Sequence, residues 1–293
     1  MNIDIFKNID NLMIIGHINS DVDSILSSII LKNILNKFNI KTDIGILENN
    51  NIDLTTTNMI KDYKFSPIII NNKNINDFKY ILVDHNDVSQ SINNPSLVIG
   101  IIDHHLSNKK HDNMINKTLV STTAVIYDTF KNIYNFNDTE KEMIYKAIIH
   151  DSAFGTSIRY NEKSKNIVKE LGFSQDLSSY LNKYFIPTNM TNINYSFNNS
   201  RLKNYKFNNI SFKSTALELV NNNYLKQYKD FIKNNPENIL GIYINYKDNI
   251  SYMFFKYNNS FYEKTYNYIV SRANEALKDC LNLIGGFNEK DIF

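Results

Sequence analysis

Short apolar runs recur through the first half of the chain, and each closes on a glycine or an acid. They are 12–16 (Leu-Met-Ile-Ile-Gly), 80–84 (Tyr-Ile-Leu-Val-Asp) and 98–103 (Val-Ile-Gly-Ile-Ile-Asp). Runs of this length predict buried strands. A polar loop, Asn19 to Asp23, follows the first. Ile25, Ile29, Ile30 and Ile34 then recur at helical spacing, with Ser24 as an N-cap or first-turn residue. Residues 140–150 place Met143, Ile144, Ala147 and Ile148 on one helical face. Strands alternating with helices predict a parallel sheet flanked by helices.

The pattern changes at 184–202, where Pro187 sits among Asn, Thr and Ser without clear periodicity. Beyond it, 209–213, 239–245 and 251–256 have strand character, and 220–233 and 260–283 read as helical. The fold class is therefore α/β: a larger N-terminal domain over 1–185, a linker over 186–202, and a smaller C-terminal α/β domain over 203–293. The active site is expected in the cleft between the two domains.

The six histidines sharpen this outline. They stand at 17, 85, 104, 105, 111 and 150, and none follows over 151–293. Four of them fall where an apolar run ends, and His150 closes a helix. Ligands bind outside the carboxyl ends of the strands in an open parallel sheet. Distant segments thus deliver His and Asp to one edge. Taken singly, a strand-end His is an ordinary hydrogen-bonded residue, and Asp21 or Asp23 is an ordinary helix cap. Their recurrence at strand ends is what points to a site. Imidazole and carboxylate together suit Mn²⁺, Co²⁺ or Mg²⁺. Crowded carboxylates need cations to neutralise them, and two ions about 3.5–4 Å apart can activate a water and hold a phosphoryl oxygen. His111, in a polar loop, reads as a surface residue, and His85 as one that orients the site.

Composition narrows the surroundings. Net charge is +2 with no long single-sign block, so no polyanion-binding tail is present. One cysteine excludes an intrachain disulfide and a Cys-rich zinc site. No stretch approaches a membrane span or a signal peptide, and an intracellular, cytoplasmic protein is expected. Arginine is scarce: only Arg159, Arg201 and Arg272 occur among 32 basic residues. Each is thereby more apt to be needed for its planar fork.

The ordered motifs resemble a known superfamily. Gly16-His17-Ile18-Asn19-Ser20-Asp21-Val22-Asp23-Ser24 resembles the first motif of the DHH phosphoesterases. Its Asp-x-Asp-Ser-Ile ending is most like the family II, manganese-dependent inorganic pyrophosphatases and their exopolyphosphatase relatives. Val83-Asp84-His85-Asn86 with Gln90-Ser91 resembles the second motif, and Ile102-Asp103-His104-His105 the Asp-His-His signature. Ser121-Thr122-Thr123-Ala124 with Tyr127 looks like the helix start that follows it. His150-Asp151-Ser152 stands where the last metal-binding Asp is placed. Ser271-Arg272 resembles the start of the C-terminal substrate motif.

The resemblance implies roles. His17 and Asp21 would hold one metal ion. Asp23, His104 and Asp151 would hold a second, with Asp84 bridging. Two divalent ions are implied, Mn²⁺ first and Co²⁺ or Mg²⁺ as substitutes. His105 would contact the phosphate and donate a proton, and Asp103 would orient His104 or His105. Arg272 would grip substrate phosphate from a substrate-binding, DHHA2-like second domain, with Lys206 a further basic candidate. The implied partner is a small phosphate-containing substrate; no membrane is involved, and the assembly is left open, a homodimer included.

Two departures bear on the substrate. The pyrophosphatase motif continues Ser-Arg-Lys, whereas this chain has Ser271-Arg272-Ala273, and the second domain is short. Gly285-Gly286-Phe287 has no following His, unlike the glycine-rich motif of relatives that degrade oligonucleotides or cyclic dinucleotides, and reads as a turn. Hydrolysis of pyrophosphate or polyphosphate is the leading expectation. A phosphodiesterase on short oligonucleotides or cyclic dinucleotides is the alternative, and an inert binding protein on the same scaffold the second. The cluster Tyr252, Phe254, Phe255, Tyr257, Phe261 and Tyr262 reads as core and strand packing.

Overall fold

The computed structural model describes residues 3–285 apart from 53, 106–110, 156, 158, 174–179, 181–182, 184–202, 208–209, 220 and 271. The chain divides into two units, Met1–Gln175 and Asp176–Phe293. The expected boundary at 185 and the linker 186–202 lie outside the described residues.

In the first unit, β1 (Leu12–Ile15), β2 (Asp43–Leu47), β3 (Ile68–Ile70), β4 (Lys79–Val83), β5 (Val98–Asp103) and β6 (Met114–Asn116) form one parallel sheet in the order β3-β2-β1-β4-β5-β6. The three expected strands are β1, β4 and β5. The others are short or partly exposed and carry little signal of their own. The helices are α1 (Val22–Lys37), α2 (Leu54–Ile60), α3 (Thr122–Phe130), α4 (Asp138–Asp151) and α5 (Glu162–Leu171). Helix α1 packs on β1, β2 and β4 and also meets α3 and α4. It is therefore buried almost all round, from Val22 through Leu35. The opposite sheet face (Met13, Ile15, Tyr80, Leu82, Ile101) packs on Ile92 and Leu97, with Ile75, Phe78 and Val88 from short loops and 3-10 turns.

Local chemistry sets the helix starts. Asp21 is the N-cap of α1, its Oδ1 accepting from Ser24 N at 3.1 Å, so Ser24 lies in the first turn. Ser121 caps α3 through Ala124 N, and Asn137 with Glu140 forms a reciprocal capping box on α4.

The second unit is a five-stranded mixed sheet in the order β11-β10-β9-β8-β7. Its strands are β7 (Lys203–Phe207), β8 (Ile210–Leu219), β9 (Ile239–Asn245), β10 (Ile250–Tyr257) and β11 (Ser260–Tyr266). Only β8 and β9 pair in parallel. Helix α6 (Leu225–Lys233) packs Tyr228 and Ile232 on Leu217, Tyr243 and Phe254, while α7 (Leu277–Leu283) packs Leu277 and Leu281 on Leu240, Met253 and Phe255.

The expected helix over 260–283 is corrected: 260–266 is strand. A two-residue turn follows Tyr257, with Asn258 at φ 53°, and this left-handed geometry suits a hairpin. Phe261 then packs on the α6 face and Tyr262 on the α7 face. That is an alternation of two, where a helix would need 3.6. Phe254 and Phe255 are likewise buried on opposite faces, so the aromatic cluster is core and strand packing, as expected. Among the described residues no helix is long and apolar enough to cross a membrane.

One glycine ties β1 to α1. A Cβ on Gly16 would lie 1.9 Å from Ser24 Oγ and 3.2 Å from Ser24 Cβ. Gly16→Ala is expected to destabilise the first unit by about 1–3 kcal/mol through overpacking. Adding Ser24→Ala should restore part of the loss; urea unfolding of the single and double variants checks both.

Candidate metal centre

The sheet order reverses between β1 and β4, which makes their carboxyl ends the crevice where an open α/β sheet binds ligands. His17 follows β1 by two residues and Asp84 follows β4 directly. Asp84 has φ 64°, a left-handed conformation that Asp tolerates better than most residues. Its amide still donates to Ile102 O at 3.0 Å, so the turn begins only after the ladder is complete. The carboxylate is buried. Oδ2 lies 3.3 Å from His17 Nε2, and Oδ1 lies 3.3 Å from His104 Nε2 while accepting from Thr122 Oγ1 at 3.1 Å. One carboxylate therefore faces imidazoles delivered from the ends of two strands.

The tautomers follow from the partners. A carbonyl only accepts, so His17 Nδ1 donates to Ile18 O at 2.9 Å and His104 Nδ1 to Leu119 O at 3.2 Å. In neutral rings each Nε2 is then left with a lone pair turned toward carboxylates, the arrangement of a metal-ligating histidine. His17 Nε2 is also 3.8 Å from Asp21 Oδ1, and His104 Nε2 is 3.7 Å from Asp151 Oδ2. His104 Nε2 is fully buried without a well-directed hydrogen bond, which is costly unless a cation occupies that direction. His17, Asp21 and Asp84 form one group whose donor atoms lie within 4.8 Å of one another, and Asp23, His104 and Asp151 form another. These residues could hold divalent ions, and the orphaned Nε2 fits that use.

Asp23 has a second function. Its Oδ2 accepts from Thr122 N at 2.5 Å and its Oδ1 from Thr123 N at 3.0 Å, so it caps the start of α3. A carboxylate has four lone-pair sites, which leaves two of them for a cation. Asp151 ends α4, with Oδ1 3.2 Å from His150 Nδ1. Asp103 differs. It is fully buried and accepts from His104 N at 2.8 Å, His105 Nδ1 at 2.9 Å and Asn86 Nδ2 at 2.5 Å. Those donors occupy it, and it orients His105. The His105 side chain is about half exposed (47%), with Nδ1 committed to Asp103 and Nε2 left for other use. His85 has both nitrogens engaged, by Val83 O and Ser91 Oγ, so it orients the loop. His111 is half-buried, a correction to its surface reading: its ring contacts Val98 O and Asn113 N.

Electrostatics describe a site short of positive charge. Burial lowers the His17 pKa, but Asp21 and Asp84 outweigh it and raise it to about 11. His104 is raised to about 10 against its burial, by Asp84, Asp23 and Asp151. Asp84 is held well below the carboxylate range, since His104 and His17 overcome burial. Burial, then Asp84 and Asp151, pushes Asp23 well above that range. Burial, then Asp21 and Asp84, raises Asp151 against its hydrogen bond from His150. Protons thus hold this cluster together when no divalent cation does.

A cavity of about 270 Å³ opens over the cluster, lined by His17, Asp21, Asp84, Gln90, His105, Asp151 and Arg159. Arg159 was not among the expected site residues; the scarcity of arginine was the signal that could have flagged it. Arg272 is half-buried, at the start of a π-helical turn (Arg272–Ala276) leading into α7. Ser271 and Gly286 lie outside the described residues. Lys206 sits on β7 opposite Ser211, with its side chain outside the described set.

A parallel sheet with a His/Asp cluster at its switch point defines the class, and comparison specifies it. Residues 11–156 match the DHH family, N-terminal domain, so the first unit of this chain is a DHH-family domain. A manganese-dependent inorganic pyrophosphatase of Methanothrix thermoacetophila is 30% identical over 173 residues, covering 55% of this chain. The chain spans about half the length of that curated relative, 54%. A solved Methanococcus jannaschii protein, assigned to the family II inorganic pyrophosphatases, has the same fold: TM-score 0.69 at 20% identity, covering 94% of this chain and all of that one. A Bacteroides fragilis exopolyphosphatase-related protein aligns at TM-score 0.53 and 17% identity, covering 96% of this chain and 95% of that one.

Asp103 offers a check on the geometry that does not depend on catalysis. Asp103→Asn sets an amide N–H₂ against donors that now meet an acceptor. The expected loss is about 1–3 kcal/mol, read by urea unfolding in the presence of a chelator.

Proposed function

We propose that this chain is a two-metal phosphohydrolase of the cytoplasm that cleaves inorganic pyrophosphate, with polyphosphate as a related substrate. The observation that carries the reading is Asp84, whose two oxygens each lie 3.3 Å from a different imidazole, His17 and His104. A carboxylate placed between two histidine-containing donor groups is the geometry of a bridging ligand. His17 and Asp21 hold one ion, and Asp23, His104 and Asp151 the other. Mn²⁺ is the preferred ion, because nitrogen and oxygen donors are mixed and because the Methanothrix relative is named for manganese. Bound there, the ions supply Lewis-acid activation of the phosphoryl group and of the attacking water.

The protein's own groups do the rest. Asp103 accepts from His105 Nδ1 at 2.9 Å and so leaves Nε2 as the nitrogen facing substrate; in the protonated ring Nε2–H would donate to substrate phosphate and to the departing group. Arg272 binds a phosphate through its fork, with Lys206 as a weaker candidate. Among the described residues, those lining the cavity are polar or charged, with no Phe, Tyr or Trp. That favours a compact phosphoanhydride over a nucleobase, which stacks on aromatic faces.

Phosphate release from pyrophosphate with Mn²⁺, beside a polyphosphate and a dinucleotide, tests the reading. Selective pyrophosphate turnover is expected; cleavage of the dinucleotide alone would overturn the substrate and keep the metal site. Asp84→Asn is expected to lower turnover at least a thousandfold, to reduce bound Mn²⁺ below two per chain by elemental analysis, and to leave the far-UV circular dichroism unchanged. Arg272→Ala should raise KM more than it lowers kcat.

A further inference from the structure

Two side chains lining the cavity over the cluster, Gln90 and Arg159, are accounted for by neither the metal ligands nor His105, and of these Arg159 carries the charge. Arg159 shares that lining with three carboxylates, Asp21, Asp84 and Asp151. A guanidinium in such company ordinarily folds onto a carboxylate and makes a bidentate pair. None of the ion pairs among the described residues involves Arg159, and the residue is exposed.

Its backbone, by contrast, is fixed. Arg159 N donates to Ser157 Oγ at 3.2 Å, and Arg159 O accepts from Asn161 N at 2.8 Å. The next residue, Tyr160, is buried. Asn161 caps α5 through Ser164 N and donates to Thr118 O at 3.0 Å. A long cationic side chain therefore lines the cavity from a hydrogen-bonded backbone, with no ion pair among the described residues.

Charge counting says what it is kept for. Asp21, Asp23, Asp84 and Asp151 carry four negative charges when ionised, which two divalent ions just cancel. The centre itself then has nothing left to offset a polyanionic phosphate. Arginine is permanently charged, so it supplies that offset at every working pH.

We propose that Arg159 is the phosphate-binding cation of the first unit, its guanidinium taking two oxygens of the phosphoryl group held over the metal centre. This rests on the phosphohydrolase reading above, and deepens it by assigning the anion subsite within the DHH domain itself. Arg159 is a binding residue in this assignment; it transfers no proton.

The test uses the full chain loaded with Mn²⁺ and inorganic phosphate as the probe, since phosphate is the product common to every phosphohydrolase substrate considered. Calorimetric titration of wild type, Arg159→Gln and Arg159→Lys gives phosphate affinity, and a parallel titration without phosphate gives Mn²⁺ affinity. The expected result is phosphate binding weaker by about tenfold or more in Arg159→Gln, an intermediate loss in Arg159→Lys, and Mn²⁺ affinity unchanged or tighter. Wild-type phosphate affinity in Arg159→Gln would overturn the assignment. So would a wild-type protein that takes Mn²⁺ but no phosphate, or an Arg159→Gln protein that no longer takes Mn²⁺. If phosphate binding falls in Arg159→Gln while wild type leaves pyrophosphate intact, Arg159 stands and the pyrophosphate reading falls.

Discussion

The first unit is organised around one buried carboxylate, that of Asp84, set between two imidazoles. Burying an ionised carboxylate costs several kcal/mol unless positive charge or hydrogen bonds replace the water. Here the replacement comes from His17, His104 and the hydroxyl of Thr122. Those partners belong to the end of β1, the loop after β5 and the first turn of α3, so the carboxylate can be satisfied only when these segments are assembled. The left-handed backbone of Asp84 fits the same constraint: it turns the chain directly after β4 and keeps the carboxylate at the sheet's switch point.

The remaining acids are held by devices that are structural in their own right. Asp21 caps α1, Asp23 caps α3 and Asp103 is wired to three donors. Each bond fixes a carboxylate that would otherwise repel its neighbours. The helix N-termini at Asp21 and Asp23 add favourable dipole ends, so part of the cost of gathering negative charge is offset before any cation binds. The raised pKa values of His17 and His104 express what is still missing, positive charge among the carboxylates.

Much of this could be read from the chain alone, and the reasons are local. A fully buried parallel strand is a continuous apolar run, so β1, β4 and β5 announced themselves, and the residues ending them gather at one edge of the sheet. Asp21 and Asp23 carried two readings, ligand or helix cap. The structure shows the caps, and capping uses only part of a carboxylate's acceptor capacity, so the two readings are compatible. Strand β11 was misread because Ser260–Tyr266, a mixture of Ser, Phe, Tyr, Glu, Lys and Thr, has no strong apolar period of its own; its register comes from β10 and from Asn258. Arg159 stood out only by the scarcity of arginine, and its place at the cavity was not legible. Its meaning lies in what surrounds it, and the turn between α4 and α5 is brought to the cavity by packing that no local pattern encodes.

The choice between a phosphoanhydride and a nucleotide substrate turns on where this chain spends its aromatic residues. With 19 Tyr and 18 Phe it has ample stacking surface in principle. Phe254 and Phe255 are consumed on opposite faces of the second sheet, and Tyr252, Tyr257, Phe261 and Tyr262 pack against the same two clusters. The cavity in the first unit is lined by carboxylates, imidazoles, one amide and one guanidinium. Such a surface can recognise charge and the tetrahedral geometry of phosphate, but it offers a flat apolar ring nothing to lie against. On the reading proposed above, binding energy at this site comes from the phosphoryl groups themselves, a demand that a small, highly charged anhydride meets and a dinucleotide, with most of its surface in bases and sugars, does not.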